Sequence, residues 1–155
     1  MKKTFFIFFA FISIFLLAQT PPPSVAIPKG NQEKLIDEFL EVSNYKKSLQ
    51  EYSFTFLYSK MNKKINGKYV KVLDKNDLNL IVENFDYEKF KKQTLYNSFS
   101  IISEDKLKEM ILFYKKIGGN LTERNELFFI STAINNNLTS LINQAAEEII
   151  TKKGF

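Results

Sequence analysis

The sequence predicts an all-α protein, a small bundle of about four to six helices over residues 31–155, preceded by an apolar leader and a Pro-rich linker. Three observations point there. All four prolines, Pro21, Pro22, Pro23 and Pro28, precede Lys29, so no downstream ring interrupts an i→i−4 hydrogen-bond ladder. Apolar residues recur at steps of three and four after Asn31, the period of a one-sided helix. Capping and stop residues punctuate that pattern. A chain of 155 residues with 45% hydrophobic and 25% charged residues is long enough for one unstapled core and too apolar for wholesale disorder.

Residues 1–18 have the organisation of a secretory signal. Lys2 and Lys3 give a basic start, and Phe5 to Ala18 is an apolar run broken only by Ser13. A comfortable membrane crossing takes about 20 apolar residues, whereas a signal h-region takes about 7–15. Leu16 and Ala18 fit the positions before a cleavage bond at Gln19, although Leu16 is larger than the usual alanine and leaves the bond open. An uncleaved N-terminal anchor is the rival reading. No Cys follows the run, so lipoprotein processing has no residue to act on. Residues 19–30 read as a linker stiffened by the Pro triplet and released at Gly30. The expected localisation is periplasmic or extracellular.

The helical domain follows. Asn31 is placed to cap a first helix with Leu35, Ile36, Phe39 and Leu40 on one face and Lys34, Asp37, Glu38 and Glu41 on the other. Ser43 or Asn44 offers a second cap, and Tyr45, Leu49, Tyr52, Phe56, Met61 and Ile65 carry helical spacing to about Lys64. Asn66-Gly67 is a turn signal. The alternation Tyr69, Val70, Val72 suggests a short strand, but without an evident partner a loop or helical turn is expected. Asp77 and Asp86 are the next caps. From Asp86, Phe90, Leu95, Tyr96 and Phe99 mark another helix, with Leu95 imperfectly spaced.

Ser103 opens the best-signposted element. Glu104 and Asp105 fall in its first turn, Lys115 and Lys116 in its last, as the helix dipole favours. Leu107, Met110, Ile111, Tyr114 and Ile117 form its apolar stripe, and Gly118-Gly119 ends it. A long last helix is predicted from Leu127, Ile130, Ile134, Leu138, Leu141, Ala145 and Ile149. Asn135, Asn136 and Asn137 are poor helix formers where a kink is expected, and Thr151 to Phe155 is expected to fray.

Composition excludes several chemistries. Cys, His and Trp are absent, which removes disulfides, thiol nucleophiles, the usual zinc sites and imidazole catalysis. The leader holds two of the 22 basic residues and no acid, leaving 20 basic and 17 acidic residues, a net of +3. Arg124 is the sole arginine, and neither an arginine concentration nor an aromatic platform argues for nucleic acid. Glu104 and Asp105, neighbours about 100° apart on a helix, and Asp37, Glu38 and Glu41 are explained as dipole complement and solvated face before they are acid–base groups. Lys63-Lys64, Lys91-Lys92 and Lys115-Lys116 fall on three expected helices, as solubilising lysines or as a patch for an anionic envelope surface. Of Phe54/Phe56 and Phe128/Phe129, one of each pair is expected in the core. Asn120-Leu121-Thr122 and Asn137-Leu138-Thr139 fit the glycan-acceptor pattern, a cheap match in an Asn-rich chain.

The segment Ile102-Ser103-Glu104-Asp105-Lys106-Leu107, followed by Ile111-Leu112-Phe113-Tyr114 and Gly118-Gly119, resembles the signature of an exported bacterial family catalogued as domain of unknown function 2059. Ile102, Lys106 and Lys116-Ile117 stand where that pattern carries an aromatic, an acidic residue and Ser-Pro. The resemblance implies a periplasmic helical domain and transfers no activity. The functional expectation is a non-enzymatic binding protein of the cell envelope. The alternatives are a carrier of an apolar ligand or lipid, and a carboxylate-dependent cell-wall hydrolase. No catalytic, cofactor-binding or metal-ligating residue is assigned. Membrane association is expected only through an uncleaved leader or a lysine-rich surface.

Overall fold

The computed structural model describes residues 28, 30–117 and 129–155. The leader, nearly all of the linker and the Gly118-Gly119 stop lie outside these residues. The architecture is all-helical with one small hairpin. In order come α1 (Gly30–Val42), α2 (Tyr45–Tyr58), β1 (Asn62–Ile65), β2 (Lys68–Lys71), α3 (Lys75–Glu83), α4 (Tyr87–Phe90), a π-helical segment (Lys91–Leu95), α5 (Tyr96–Phe99), α6 (Glu104–Ile117) and α7 (Thr132–Lys152).

α1 packs along α6 and also touches α2 and α5, while α7 lies against α2, α3 and the π segment. The helix starts at Gly30, so Asn31 sits inside it and does not cap it. Its side chain instead donates to Glu104 at 2.6 Å, and Gln32 donates to the carbonyls of Ser100 and Ile102, both at 2.8 Å. These bonds pin the start of α1 to the approach of α6. Between α1 and α2 the chain turns at Asn44, whose φ of 51° is left-handed, a conformation Asn tolerates better than most residues. No side-chain bond caps α2 there. The Ser43 hydroxyl donates back to the Phe39 carbonyl at 2.7 Å.

The segment after α2 corrects the helical expectation. α2 stops at Tyr58, and Asn62–Ile65 pairs antiparallel with Lys68–Lys71, Ile65 opposite Lys68. Asn66 and Gly67 form the two-residue loop with φ of 49° and 82°. Positive φ at both central residues is the primed turn whose twist suits a two-residue hairpin. Tyr69 and Val70 therefore do have a partner strand. It was hidden because Asn62, Lys63 and Lys64 show no apolar alternation, only polar side chains. Met61 closes the base of the hairpin, its carbonyl accepting from Val72 and Leu73 at 2.8 and 3.2 Å.

α3 is capped by Asp74 and not by Asp77. The Asp74 carboxylate accepts from the N–H groups of Asn76 and Asp77, and Asp77 at the third helical position accepts from Asp74 N–H at 2.6 Å. This is a capping box with Asp in the usual Glu position. Asp86 caps α4 as expected, accepting from Lys89 N–H at 2.9 Å. The imperfect spacing of Leu95 is the π segment itself. Phe90 and Leu95 are five residues apart and both buried, which the wider π turn allows and an α-helix does not.

α6 matches its signposts, with Leu107, Ile111 and Tyr114 buried. α7 is continuous from Ser131, which caps it by accepting from Ile134 N–H, through Lys152. The three asparagines do not break it because two serve neighbouring elements. Asn135 accepts from the Tyr52 hydroxyl at 2.6 Å, and Asn137 donates to Thr94 at 3.4 Å. The C-terminus does not fray either. Phe155 N–H donates to the Ile150 carbonyl and Gly154 N–H to that of Thr151, with Gly154 at φ 83°. That is a Schellman closure, in which glycine takes the left-handed position without a Cβ penalty. Lys153 then reaches Asp77 and Asp74 at the start of α3.

The centre of the core is aromatic. Phe39 lies edge-on to Phe99 at 5.1 Å and to Tyr114 at 5.6 Å, and Tyr45 is edge-on to Phe99 at 5.6 Å. These rings come from α1, α5, α6 and α2, so one cluster joins four helices. Phe54 and Phe56 are both half-buried, not one in and one out. Phe129 is half-exposed, and Phe128 lies outside the described residues.

Candidate functional site

The helical rod formed by α4, the π segment and α5 has a polar cleft on one side and an apolar groove on the other. The cleft, about 460 Å³, is lined by Asp37, Glu41, Asn44, Tyr45, Lys46, Tyr87 and Lys91. At its centre the Asp37 carboxylate accepts from the Tyr96 hydroxyl and from the Lys91 ammonium, each at 2.8 Å. Lys91 Nζ also stands 5.5 Å from the Tyr96 ring centre, and Lys46 Nζ 5.5 Å from that of Tyr87.

Each ionisable group with a displaced pKa in this cleft is held in its resting form. The hydrogen bond to Asp37 raises Lys91 above the ordinary lysine range, against the opposing effect of burial. Burial pushes Tyr87 up to about 12 and raises Tyr45 further still, while Tyr96 is raised by burial and by its bond to Asp37. A lysine that keeps its proton is neither nucleophile nor base. The cleft is thus a satisfied ion-pair and phenol cluster that ties α1 to the rod. π segments recur at functional sites, but here the widened turn presents Lys91 to α1 and keeps Phe90 and Leu95 in the core.

These raised phenols carry a pH dependence with a definite sign. A phenol whose folded pKa exceeds its unfolded value of 10.0 contributes stability that is complete below that value and is lost as pH rises through the folded one. Chemical denaturation at a series of alkaline pH values is expected to show a falling midpoint from about pH 10 upward. Tyr87→Phe flattens that fall. A slope identical to the parent's counts against burial as its cause.

The opposite side of the rod is different in kind. Leu80, Ile81 and Phe85 from α3 and its exit, Phe90 from α4, and Leu141, Ile142, Ala145 and Ile149 from α7 line a groove of about 450 Å³. Leu80 and Leu141 are 52% and 47% exposed, large aliphatic side chains left open within one concavity. The rim carries Asp86, Lys89, Glu148 and Lys152 with Asn84 and Gln93, two charges of each sign.

The residues singled out from sequence are dispersed. Asp37 and Glu38 are tied to Lys91 and Lys115 on other elements, so that face is an interhelical seam, while Glu41 borders the cleft. Glu104 receives Asn31, and Asp105 pairs with Lys108 at 3.3 Å. The two share no cleft. Lys63-Lys64 lies on a strand and not on a helix, and each lysine doublet gives one member to a carboxylate: Lys63 to Glu147, Lys91 to Asp37, Lys115 to Glu38. Asn137 donates to Thr94 of the π segment and Thr139 to the Asn135 carbonyl of α7 itself, with Leu138 between them buried, which is no setting for a glycan. Asn120-Leu121-Thr122 lies outside the described residues. Among the described residues no three acidic side chains converge to hold a metal ion, and no helix is long and apolar enough to cross a membrane.

The sequence stripe for α7 includes Leu141, Ala145 and Ile149, and all three line the groove, Ala145 and Ile149 while also packing against the core. Apolar periodicity alone does not separate a helix face that meets the core from an adjacent one that meets a ligand. No family model, no curated protein and no solved structure matches the chain.

Proposed function

We propose that this chain is a non-enzymatic binding protein of the bacterial cell envelope, exported by its leader, that receives a short amphipathic helix of a partner protein in the α3–α4–α7 groove. The observation that carries this reading is the pairing of half-exposed Leu80 and Leu141 inside one concavity with a charge-balanced rim. A groove between helices accepts anchors spaced i, i+3 and i+4 from an incoming helix, and alternating rim charges set its register. The leader's organisation and the resemblance of residues 102–119 to the exported family 2059 support the envelope part of this reading.

The carrier reading has less support, because an apolar tail needs a more enclosed space than a trough flanked on both sides by charge. A hydrolase has less still, since no two carboxylates of the described residues meet in a cleft without partners.

Methyl NMR of the protein titrated with designed amphipathic helical peptides tests the proposal. Shifts are expected at Leu80, Leu141 and Ile149, and they disappear in Leu141→Glu. Shifts caused by a fatty acid but by no peptide assign the groove to an apolar ligand. A groove silent to both overturns the reading.

A further inference from the structure

The lysines are not evenly spread. Between Lys60 and Lys75 the chain holds six lysines (Lys60, Lys63, Lys64, Lys68, Lys71 and Lys75) and one acid, Asp74. That stretch has a net charge of +5, which equals the net charge of the whole protein. The other residues cancel. Without the leader's two lysines they are acidic by two. The stretch is the β1–β2 hairpin and its two ends.

The hairpin register sorts these side chains by face, because residues opposite each other on antiparallel strands point the same way. Lys63 with Val70, and Ile65 with Lys68, form one face. Ile65 and Val70 are half-buried there, and Lys63 reaches Glu147 of α7 at 2.8 Å, so this face meets the body. Asn62 with Lys71, and Lys64 with Tyr69, form the other. All four are exposed, Tyr69 at 79%. Two lysines thus flank an aromatic ring on the side turned away from the bundle, and Lys68 stands beside the loop.

We infer that the outward face of the hairpin docks on an anionic lipid bilayer, with Lys64 and Lys71 at the headgroups, the exposed Lys68 beside the loop adding its charge from the hairpin's edge, and the Tyr69 ring at the interface. A bilayer's negative surface potential acts on point charges and asks for no particular geometry, which suits lysine. A tyrosine between lysines is the side-chain set of a membrane interface, apolar below and polar at its tip. The stretch has no arginine fork for bases or single phosphates, so the charge favours a bilayer over nucleic acid. The face lies on a different element from the groove, and the inference stands independently of the partner reading.

The absence of Trp makes the test site-specific. In the full chain, Tyr69→Trp introduces a lone indole, whose emission reports this face whatever the leader does. Its emission is expected to shift to the blue on vesicles of phosphatidylcholine mixed with phosphatidylglycerol. No shift is expected on phosphatidylcholine alone, and 1 M salt, where the screening length is about 3 Å, reverses it. On that background, replacing Lys64, Lys68 and Lys71 together by Gln weakens apparent vesicle affinity about a hundredfold, roughly fivefold for each lysine. The same change at the exposed Lys34, Lys92 and Lys106 leaves it within about threefold. Circular dichroism of each variant confirms that the exposed substitutions keep the fold. An indole silent on anionic vesicles, or equal losses from the two triple variants, overturns the inference. So does an oligonucleotide that perturbs the indole at lower concentration than the vesicles, which assigns the face to nucleic acid.

Discussion

Phe39→Ala is expected to remove about 4 kcal/mol from the free energy of unfolding, the largest loss from any one truncation in the aromatic centre. Phe39 is fully buried and its ring lies within 6.1 Å of Tyr45, Phe99 and Tyr114. Three helices besides its own meet on that ring. Two effects add: the transfer of the lost ring carbons and the hole left where three rigid neighbours cannot close in. Domains of this kind have only about 5–15 kcal/mol to lose, so the variant sits near its unfolding threshold. Urea titration followed by far-ultraviolet circular dichroism measures it, as a lower midpoint with an unchanged slope. A midpoint within error of the parent's contradicts this packing.

Ile142→Ala and Leu141→Ala are expected to separate widely although the residues are neighbours. Ile142 is 2% exposed, one of the buried series Ile134, Leu138, Ile142, Ala146 and Ile150 that repeats every four residues along α7. Its truncation costs about 3 kcal/mol. Leu141 is 47% exposed in the groove, and its truncation changes stability by about 0.5 kcal/mol or less. The pair reads out the rotation of α7 about its axis. Equal losses, or a larger loss at Leu141, place the other stripe in the core and remove the apolar groove.

Most of the helical fold was legible in the sequence because its stripes and caps are local. The acid-to-lysine polarity of α6 and the cap at Asp86 need only neighbouring residues to be seen. What escaped notice depends on distant partners. β1 is polar on three of its four residues and becomes a strand only because Asn66-Gly67 folds β2 back on it. That dipeptide between short runs is the strongest local hairpin signal and outweighs the helical spacing that seemed to run to Lys64. Asn135 and Asn137 disfavour helix locally, yet Tyr52 and Thr94 give their side chains partners across the bundle. Five-residue spacing from Phe90 to Leu95 was visible as an irregularity, and a π turn is its physical meaning.

The groove was legible only in part. Leu141, Ala145 and Ile149 were recognised as an apolar row, but α7 has two such rows, and the one that meets the core is settled by its neighbours. The hairpin's charge was legible all along. A running charge count over sixteen residues finds it, whereas counting lysine doublets draws attention to side chains that salt bridges already occupy.

The closing arrangement of α7 has a consequence in time. The helix that seals α2, α3 and the π segment comes after them in the chain, and the lysine that fastens it to Asp74 and Asp77 sits at its C-terminal cap. A nascent polypeptide therefore lacks the seam that holds its earlier helices until α7 has been synthesised. Those helices keep their oily flanks unpartnered until then, a window in which a chaperone can bind them.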